Sequence, residues 1–266
     1  MGDAGQVTRT AAEVYDELLL PAHFNQWAPR VAELAGLMPG MRVLDVACGT
    51  GVLSLAAADM VKPNGSVVGL DLNLGMLDVA KQKAPHIDWQ EAPAEAIPFG
   101  NATFDSVVSQ FGLMFFQDKT LAIREMSRVL RPAGNLAIAV WDSLENVTGY
   151  AALTRLLSRL FGDSAAESLR APYSLGDVQN LSSLFSNAGV PDVKITTLGG
   201  KARYPSMRVW IEADIKGWTL SDALDDAQFE LLVSEAESEL ACFVTSDGMV
   251  EFNSPAHIVT ATKRTA

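Results

Sequence analysis

The stretch V-L-D-V-A-C-G-T-G at residues 43–51 limits what this chain can fold into more than any other feature. An apolar strand pattern leads into two glycines, and a helical pattern begins directly behind them. Gly49 and Gly51 have no Cβ, so the backbone can turn tightly and a ligand can lie directly on it. The unpaired N–H groups at the start of the helix point toward that ligand. The stretch therefore predicts a binding loop between a strand and a helix.

Two acids indicate which ligand this loop binds. Asp71 ends the next strand pattern, V-V-G-L-D, and follows Gly51 by 20 residues (71 minus 51), where an acid can bind ribose hydroxyls. Ser54 replaces the third glycine of a dinucleotide loop, and Asp45, four residues before Gly49 (49 minus 45), would repel a pyrophosphate. Asp45 would attract an ammonium or sulfonium group by roughly 4 kcal/mol at about 4 Å. S-adenosylmethionine carries both cations on a nucleoside.

Strand and helix patterns alternate from Met41 to Trp141, which predicts a parallel sheet covered on both faces by right-handed crossovers. Strands are expected near 42–46, 67–71, 87–91, 104–110 and 135–141, with helices near 50–61, 75–83 and 118–131. Two further helices near 150–161 and 177–188 precede a strand at 190–198. The ligand is expected at the carboxyl ends of the strands, where the order switches between the first and fourth strands. Four candidate residues fall at such ends: Asp45, Gly49, Asp71 and Gln110.

Five motifs in this order resemble those of class I S-adenosylmethionine-dependent methyltransferases. They are V-L-D-V-A-C-G-T-G, the acid Asp71, A-E-A-I-P-F (94–99), F-D-S-V-V-S-Q-F-G-L-M-F-F (104–116) and V-L-R-P-A-G-N-L-A-I-A-V-W (129–141). Within that class the chain is most similar to the small-molecule branch that includes ubiquinone and menaquinone C-methyltransferases. The resemblance implies a doubly wound α/β fold of Rossmann-like type, whose seven-stranded, mostly parallel sheet is closed by an antiparallel strand at 256–262. It also implies in-line methyl transfer from S-adenosylmethionine to a small apolar or aromatic metabolite.

The resemblance also implies roles for individual residues. The cofactor site would consist of Asp45, Gly49, Gly51, Asp71, Met76, Ala94, Glu95 and Gln110, in which Met76 packs on the adenine. The family usually has an acid before the alanine, but this chain has Pro93, so the Ala94 N–H or Glu91 would contact the adenine instead. Local structural roles compete with these assignments: loop bracing for Asp45, a helix N-cap for Asp71, core packing for Met76 and a strand-end cap for Gln110.

Residues 1–38 are predicted to form an N-terminal helical lid on a single domain spanning 1–266. Its two helices, at 11–20 and 28–35, are expected to break at Pro21 and to close at Gly36. Substrate contacts are proposed for Tyr15, His23, Trp27, Met114 and Trp141, with plain core packing as the alternative. His23 lies near the lid and is a candidate general base, although an isolated histidine more often has a structural role.

Residues 199–255 are predicted to be a helical insertion before the last strand. Ser206 can cap one helix, and a second helix starts near Asp225. The apolar faces of these helices either bury one another or cover the substrate.

Composition limits the kinds of partner that the chain can bind and the cellular compartment in which it is expected. The net charge of −12 leaves little basic surface for nucleic acid. Two cysteines provide neither a disulfide framework nor a C-x-x-C metal pair, and the chemistry needs no metal. With no long apolar run and no signal-peptide core, the chain is expected to be cytoplasmic, without stable membrane insertion and with a small-molecule substrate. Two rival functions are a non-catalytic module that binds S-adenosylmethionine and an NAD-dependent dehydrogenase.

Overall fold

The alternating pattern produces a central sheet in the computed structural model, which describes residues 9–216 and 224–265. Nine strands occur in those ranges: β1 Arg42–Val46, β2 Ser66–Asp71, β3 Asp88–Glu91, β4 Phe104–Gln110, β5 Leu130–Trp141, β6 Lys194–Leu198, β7 Lys201–Tyr204, β8 Val250–Asn253 and β9 Ala256–Thr262. Seven of them form the main sheet in the order β3-β2-β1-β4-β5-β9-β6. β1 to β5 pair in parallel, and β9 runs antiparallel to both β5 and β6. The predicted fold is therefore confirmed, including the closing strand.

Helices cover both faces of this sheet. They are α1 Arg9–Val14, a π-helical segment Tyr15–Phe24, α2 Ala28–Leu34, α3 Val52–Val61, α4 Leu74–Lys83, α5 Lys119–Val129, α6 Thr148–Phe161, α7 Asp163–Arg170, α8 Val178–Asn187, α9 Met207–Lys216 and α10 Asp226–Glu239. Several begin where a side chain accepts a hydrogen bond from a free backbone N–H, which fixes their first turn: Asn73, Asp118, Asp177 and Asp225. In the described part of the chain, no helix has the length and apolar character needed to cross a membrane.

The predicted helix break at Pro21 is wrong. The chain continues through this proline as a π-helix up to Phe24, and the Asn25 N–H closes the last wide turn on the Leu20 carbonyl oxygen at 2.9 Å. A π-helical turn is rare and less favourable than an α-helical one. Here it buries Leu20, His23 and Phe24 together against the sheet, and this tertiary burial outweighs the local preference. Residues 1–8 of the predicted lid lie outside the described residues.

The insertion contains the two predicted helices, α9 and α10. Ser206 caps the first, since its hydroxyl accepts the Val209 N–H at 3.2 Å, and Asp225 caps the second. A two-stranded antiparallel sheet of β7 and β8, between which both helices lie in the chain, was not predicted. The Trp210 ring packs on Phe252 of β8 with centroids 4.7 Å apart, and both rings contact Tyr150 of α6, so the insertion joins the main core. Residues 217–223 of the predicted insertion lie outside the described residues.

The glycine loop between β1 and α3 requires its two glycines for different reasons. Gly51 has φ +89°, and a Cβ there would come within 2.5 Å of the Trp89 ring. Gly49 has φ +55°, but a Cβ there would meet no described atom within 4 Å. Gly51 therefore permits close packing of Trp89 from β3, while Gly49 faces open space beside the loop. That space is available to a ligand.

We expect Gly51→Ala to lower the free energy of unfolding by roughly 2 to 4 kcal/mol, because it combines left-handed strain with a clash against Trp89. The matched variant Gly49→Ala should cost only the strain, roughly 1 to 2 kcal/mol. Urea unfolding of the ligand-free variants measures both values. Equal losses in the two variants would contradict the role assigned to Trp89.

Candidate functional site

Asp71 ties the glycine loop to the end of β2. One carboxylate oxygen accepts the Gly49 N–H at 2.8 Å, and the other accepts the Asn73 N–H at 2.8 Å. The N-cap role considered for Asp71 is wrong, because Asn73 caps α4 by accepting the Met76 N–H at 3.2 Å. Burial raises the pKa of Asp71, and the N–H donors partly offset the effect. Each carboxylate oxygen retains a lone pair that can accept a ribose hydroxyl.

Asp45 lies behind the loop rather than on its open side. Its side chain has no exposed surface, and one oxygen accepts the Ser54 hydroxyl at 2.6 Å, which braces β1 against α3. The other oxygen has no hydrogen-bond partner among the residues that the structure describes. Burial raises the pKa of Asp45 to about 7, although the Ser54 hydrogen bond opposes the shift. Asp45 therefore has no exposed surface for direct contact with a ligand, and its effect on a cationic ligand through the loop stays a prediction.

The end of β4 meets the glycine loop, as expected for the switch point of the strand order. A Cβ on Gly112 would come within 2.5 Å of the Ala47 Cβ, so the loops after β1 and β4 touch. The Gln110 amide nitrogen donates to the Phe24 carbonyl oxygen at 3.4 Å, while its amide oxygen is buried without a partner in the described ranges. This orphaned acceptor fits a ligand that carries an ammonium group. The open side of Gly49 fits the same ligand.

The residues predicted for the adenine end have structural contacts of their own. Met76 lies in a small apolar cluster with Ala12 and Val79, in which α1 packs on α4. Ala94 is buried, and the Glu95 carboxylate accepts the Asp118 N–H at 3.2 Å. The arrangement agrees with core packing for Met76. The roles of Ala94 and Glu95 at the adenine stay predictions.

Tyr15 connects this cofactor edge to a second set of aromatic residues. Burial raises the pKa of its hydroxyl, and the charges of Asp16 and Asp71 raise it further, so Tyr15 lies near Asp71. Its ring also contacts Phe24, with centroids 5.2 Å apart. Tyr15 therefore bridges the ribose-binding acid and the aromatic residues of the N-terminal segment.

A pocket lies beyond Phe24, beside the carboxyl end of β5. Aromatic and apolar side chains and one carboxyl group form its wall: Leu19, His23, Phe24, Trp141, Tyr150, Leu169, Pro172, Tyr173 and Asp214. Two of the predicted substrate residues, His23 and Trp141, are among them. The sequence prediction missed Tyr150, Tyr173 and Asp214. Asp214 did carry a signal, because it interrupts the apolar face formed by Trp210, Ile211 and Ile215 in α9.

The structure does not bring the other predicted substrate residues to this wall. Trp27 has no exposed surface and packs edge-on against Phe111 and Trp141, with centroids 5.9 and 6.0 Å away. Met114 is buried in a short 3₁₀ turn after β4, and Tyr15 stands on the cofactor side of Phe24. Trp27 and Met114 therefore serve the core that supports the pocket, which is the alternative considered for them.

His23 forms part of the pocket wall but is poorly suited to act as a base. Its Nε2 lies 2.5 Å from the Ser254 hydroxyl, and its ring stacks on Trp141 with centroids 4.3 Å apart. Burial lowers the pKa of His23 to about 3, so the ring is neutral at physiological pH and holds a proton weakly. The contacts instead join the N-terminal segment to the chain that follows β8.

Because burial raises the pKa of several acids, we expect the free energy of unfolding to fall as the pH rises. Native Asp45 binds its proton more tightly than the unfolded chain does, because its pKa is about 7 rather than 3.8. Unfolding releases this proton and therefore becomes easier as the pH rises from about 4 to about 7, above which native Asp45 is ionised as well. Asp45→Asn can keep the Ser54 hydrogen bond without a charge, and we expect it to reduce this loss by roughly 1 to 3 kcal/mol. Part of the loss remains, since the pKa values of Asp71 and Asp214 are also raised.

Urea unfolding at pH 5 and pH 8 tests this expectation on the wild type and on Asp45→Asn. Asp59→Asn is the matched control, because Asp59 is exposed and pairs only with Lys62 in a surface ion pair. A pH dependence in Asp45→Asn as steep as that of the wild type would show that Asp45 ionises without cost in the native protein.

Comparison with known proteins agrees with this site. The model of the ubiE/COQ5 methyltransferase family matches residues 7–203. A demethylmenaquinone methyltransferase from Renibacterium salmoninarum is 35% identical over 203 residues, covering 71% of this chain and 82% of that protein. The ubiquinone/menaquinone biosynthesis C-methyltransferase UbiE from Hahella chejuensis is 32% identical over 197 residues, covering 67% of this chain and 78% of that protein.

The fold is likewise that of a solved methyltransferase. Phosphoethanolamine N-methyltransferase 2 from Haemonchus contortus, in complex with S-adenosyl-L-methionine, superposes with a TM-score of 0.62 at 20% identity. The match covers 97% of this chain and 58% of that protein. The chain is therefore a methyltransferase that uses S-adenosylmethionine on a small-molecule acceptor, and it belongs to the ubiE/COQ5 methyltransferase family.

Proposed function

We propose that this enzyme methylates a ring carbon of an aromatic acceptor of the quinol type. The observation that carries the proposal is the aromatic pocket beside the carboxyl end of β5, whose wall includes Phe24, the residue that also contacts Tyr15 on the cofactor side. The names of the relatives from Renibacterium and Hahella, which describe quinone methylation, support the same acceptor class. The two rival functions, a non-catalytic binding module and an NAD-dependent dehydrogenase, gain no support from the family.

Phe24 contacts residues on both the cofactor side and the acceptor side of the proposed site. On one side its ring meets Tyr15, which lies near Asp71, and on the other it meets Trp141 at 5.4 Å and His23 at 5.2 Å. An acceptor ring that stacks in the pocket would thus present its edge toward the glycine loop. Movement of Phe24 would join the two spaces, because no other ring stands between Tyr15 and the pocket wall in the contacts described.

The protein has a limited chemical task in this reaction. S-adenosylmethionine supplies an activated methyl group on a good leaving group, so the chain mainly aligns the acceptor and excludes water. Aromatic walls orient a flat acceptor by stacking. Gly49 and Gln110 would hold the methionine end of the cofactor, and Asp71 would hold the ribose.

We assign the N-terminal segment and the insertion to enclosure of the acceptor. The π-helical segment contributes Leu19, His23 and Phe24 to the pocket, and α9 contributes Asp214. Both elements lie at the same end of β5. Together they shield a reacting ring from water.

A direct test supplies the enzyme with 1,4-dihydroxynaphthalene, kept reduced under anaerobic conditions, and with S-adenosylmethionine labelled in its methyl group. Mass spectrometry with fragmentation should find one labelled methyl on a ring carbon of the product. Heat-inactivated enzyme is the control. Label found only on oxygen, or no transfer to this or related reduced quinones, would overturn the proposed acceptor class.

We expect Asp71→Ala to weaken binding of S-adenosylhomocysteine by roughly 10- to 100-fold, because ribose hydroxyls lose a charged partner and Gly49 loses its anchor. Asn73→Ala is the matched control, since it removes the cap of α4 and leaves the carboxylate in place. Isothermal titration calorimetry measures both variants. Equal affinity losses would show that the order of this loop matters, and not the carboxylate itself.

A further inference from the structure

Asp214 is a buried acid that the fold alone does not explain. It lies on the apolar face of α9, between Trp210 and Ile215, and its side chain is 5% exposed. One carboxylate oxygen accepts the Tyr150 hydroxyl at 2.8 Å. The other is buried and meets no donor at hydrogen-bonding geometry within residues 9–216 and 224–265, although the Trp210 indole lies close enough to lower the pKa of Asp214. Leaving a buried carboxylate oxygen unpaired is costly, so a retained one indicates a partner that binds there.

Two tyrosines hold this acid in one orientation. The Tyr150 hydroxyl lies 2.8 Å from the Tyr204 hydroxyl as well as from Asp214, so the three side chains form a connected chain of hydrogen bonds. Tyr150 is fixed in turn by ring contacts with His23 and Trp210. Asp214 is thus held in one orientation in the pocket wall, with a second carboxylate oxygen that does not accept from Tyr150.

The pocket around Asp214 defines the chemistry of its occupant. Asp214 is the one acidic residue in the described wall, whose other members are apolar, aromatic or the neutral His23. A fitting ligand is therefore flat and apolar, with a hydrogen-bond donor at one end. A ring hydroxyl has this character, and a ring ether does not.

The acid itself and Tyr204 belong to the insertion, beyond the part of the chain that the family model matches, whereas Tyr150 lies within the matched part. That match ends at residue 203, whereas Tyr204 and Asp214 follow it. The residues that hold the cofactor lie within the matched range. The acid therefore distinguishes acceptors in this chain without altering the half of the site that holds the cofactor.

We propose that Asp214, oriented by Tyr150 and Tyr204, accepts a hydrogen bond from a ring hydroxyl of the acceptor and thereby selects hydroxylated aromatic molecules. The inference deepens the proposed function and rests on it for the identity of the occupant. It assigns recognition to a residue that touches the acceptor directly.

The pocket contains few groups that titrate near neutrality. Burial raises the pKa of Asp214 to about 7, and the Tyr150 hydroxyl and Trp210 indole partly oppose this. Burial and the charge of Asp214 hold the pKa values of Tyr150, Tyr173 and Tyr204 well above their usual range. The pKa of His23 is lowered to about 3. Between pH 5.5 and pH 8, Asp214 is thus the group of the described wall that changes charge.

Two stable probes test the inference without the methyl donor. 1-Naphthol has a hydroxyl, and 1-methoxynaphthalene has the same rings but cannot donate a hydrogen bond. At pH 8 the wild type should bind 1-naphthol roughly tenfold more tightly, as expected for one hydrogen bond to a charged group. Asp214→Asn should lose this preference, because the Tyr150 hydroxyl occupies the amide oxygen and a donor then faces the ligand. Fluorescence titration and calorimetry measure the ratio of the two affinities.

Glu212→Gln is the matched control, since it removes an acid from the same helix that does not line the pocket, and it should keep the preference. If Asp214→Asn does not fold, the affinities of the wild type at two pH values provide the test. Its preference for 1-naphthol should be smaller at pH 5.5 than at pH 8. No preference in the wild type, a preference that survives Asp214→Asn, or one that is independent of pH would overturn the proposal. Because no methyl donor is present, selective binding without methylation of 1,4-dihydroxynaphthalene would count only against the proposed reaction.

Discussion

The hydrogen bond from the Gly49 N–H to the Asp71 carboxylate is the constraint on which the rest of the site depends. β1 and β2 are parallel neighbours in which Asp45 lies opposite Gly69, so their carboxyl ends emerge side by side. The bond joins the loop after β1 to the end of β2 at 2.8 Å. It holds Gly49 in a left-handed conformation with its open side toward solvent. One acid thereby fixes the glycine loop at the edge where we propose that the methionine and the ribose of the cofactor bind.

Three buried acids lie in or beside the two parts of the candidate site. Asp45 braces the glycine loop, Asp71 anchors it, and Asp214 lies in the acceptor pocket, and burial raises the pKa of all three. Each one costs stability, because a carboxylate without solvent is held only by a few hydrogen bonds. Clusters of such perturbed groups are typical of functional sites rather than of structural cores. In this enzyme two of these destabilising acids lie at the cofactor edge and one lies in the proposed acceptor pocket.

The sequence predicted those parts of the fold in which local pattern and tertiary structure agree. The strands from β1 to β5, the switch point and the glycine loop follow from alternating apolar segments and two glycines. The π-helix through Pro21 could not be predicted, because only burial of His23 and Phe24 against the sheet makes it favourable. The β7–β8 sheet was missed because its strands are four residues long and separated in the chain by two helices. Asp214 could have been found, since an acid on an apolar helix face demands an explanation.

The topology determines where an insertion before the last strand must lie. β5 and β6 run in the same direction, because both pair antiparallel with β9. β6 therefore ends at the edge where β5 ends, and β9 starts at that edge, with Ala256 opposite both Trp141 and Leu198. Any chain added between β6 and β9 leaves and returns beside Trp141, which lines the acceptor pocket. Changes in this segment can therefore alter the acceptor while β1, β2 and the glycine loop keep the cofactor in place.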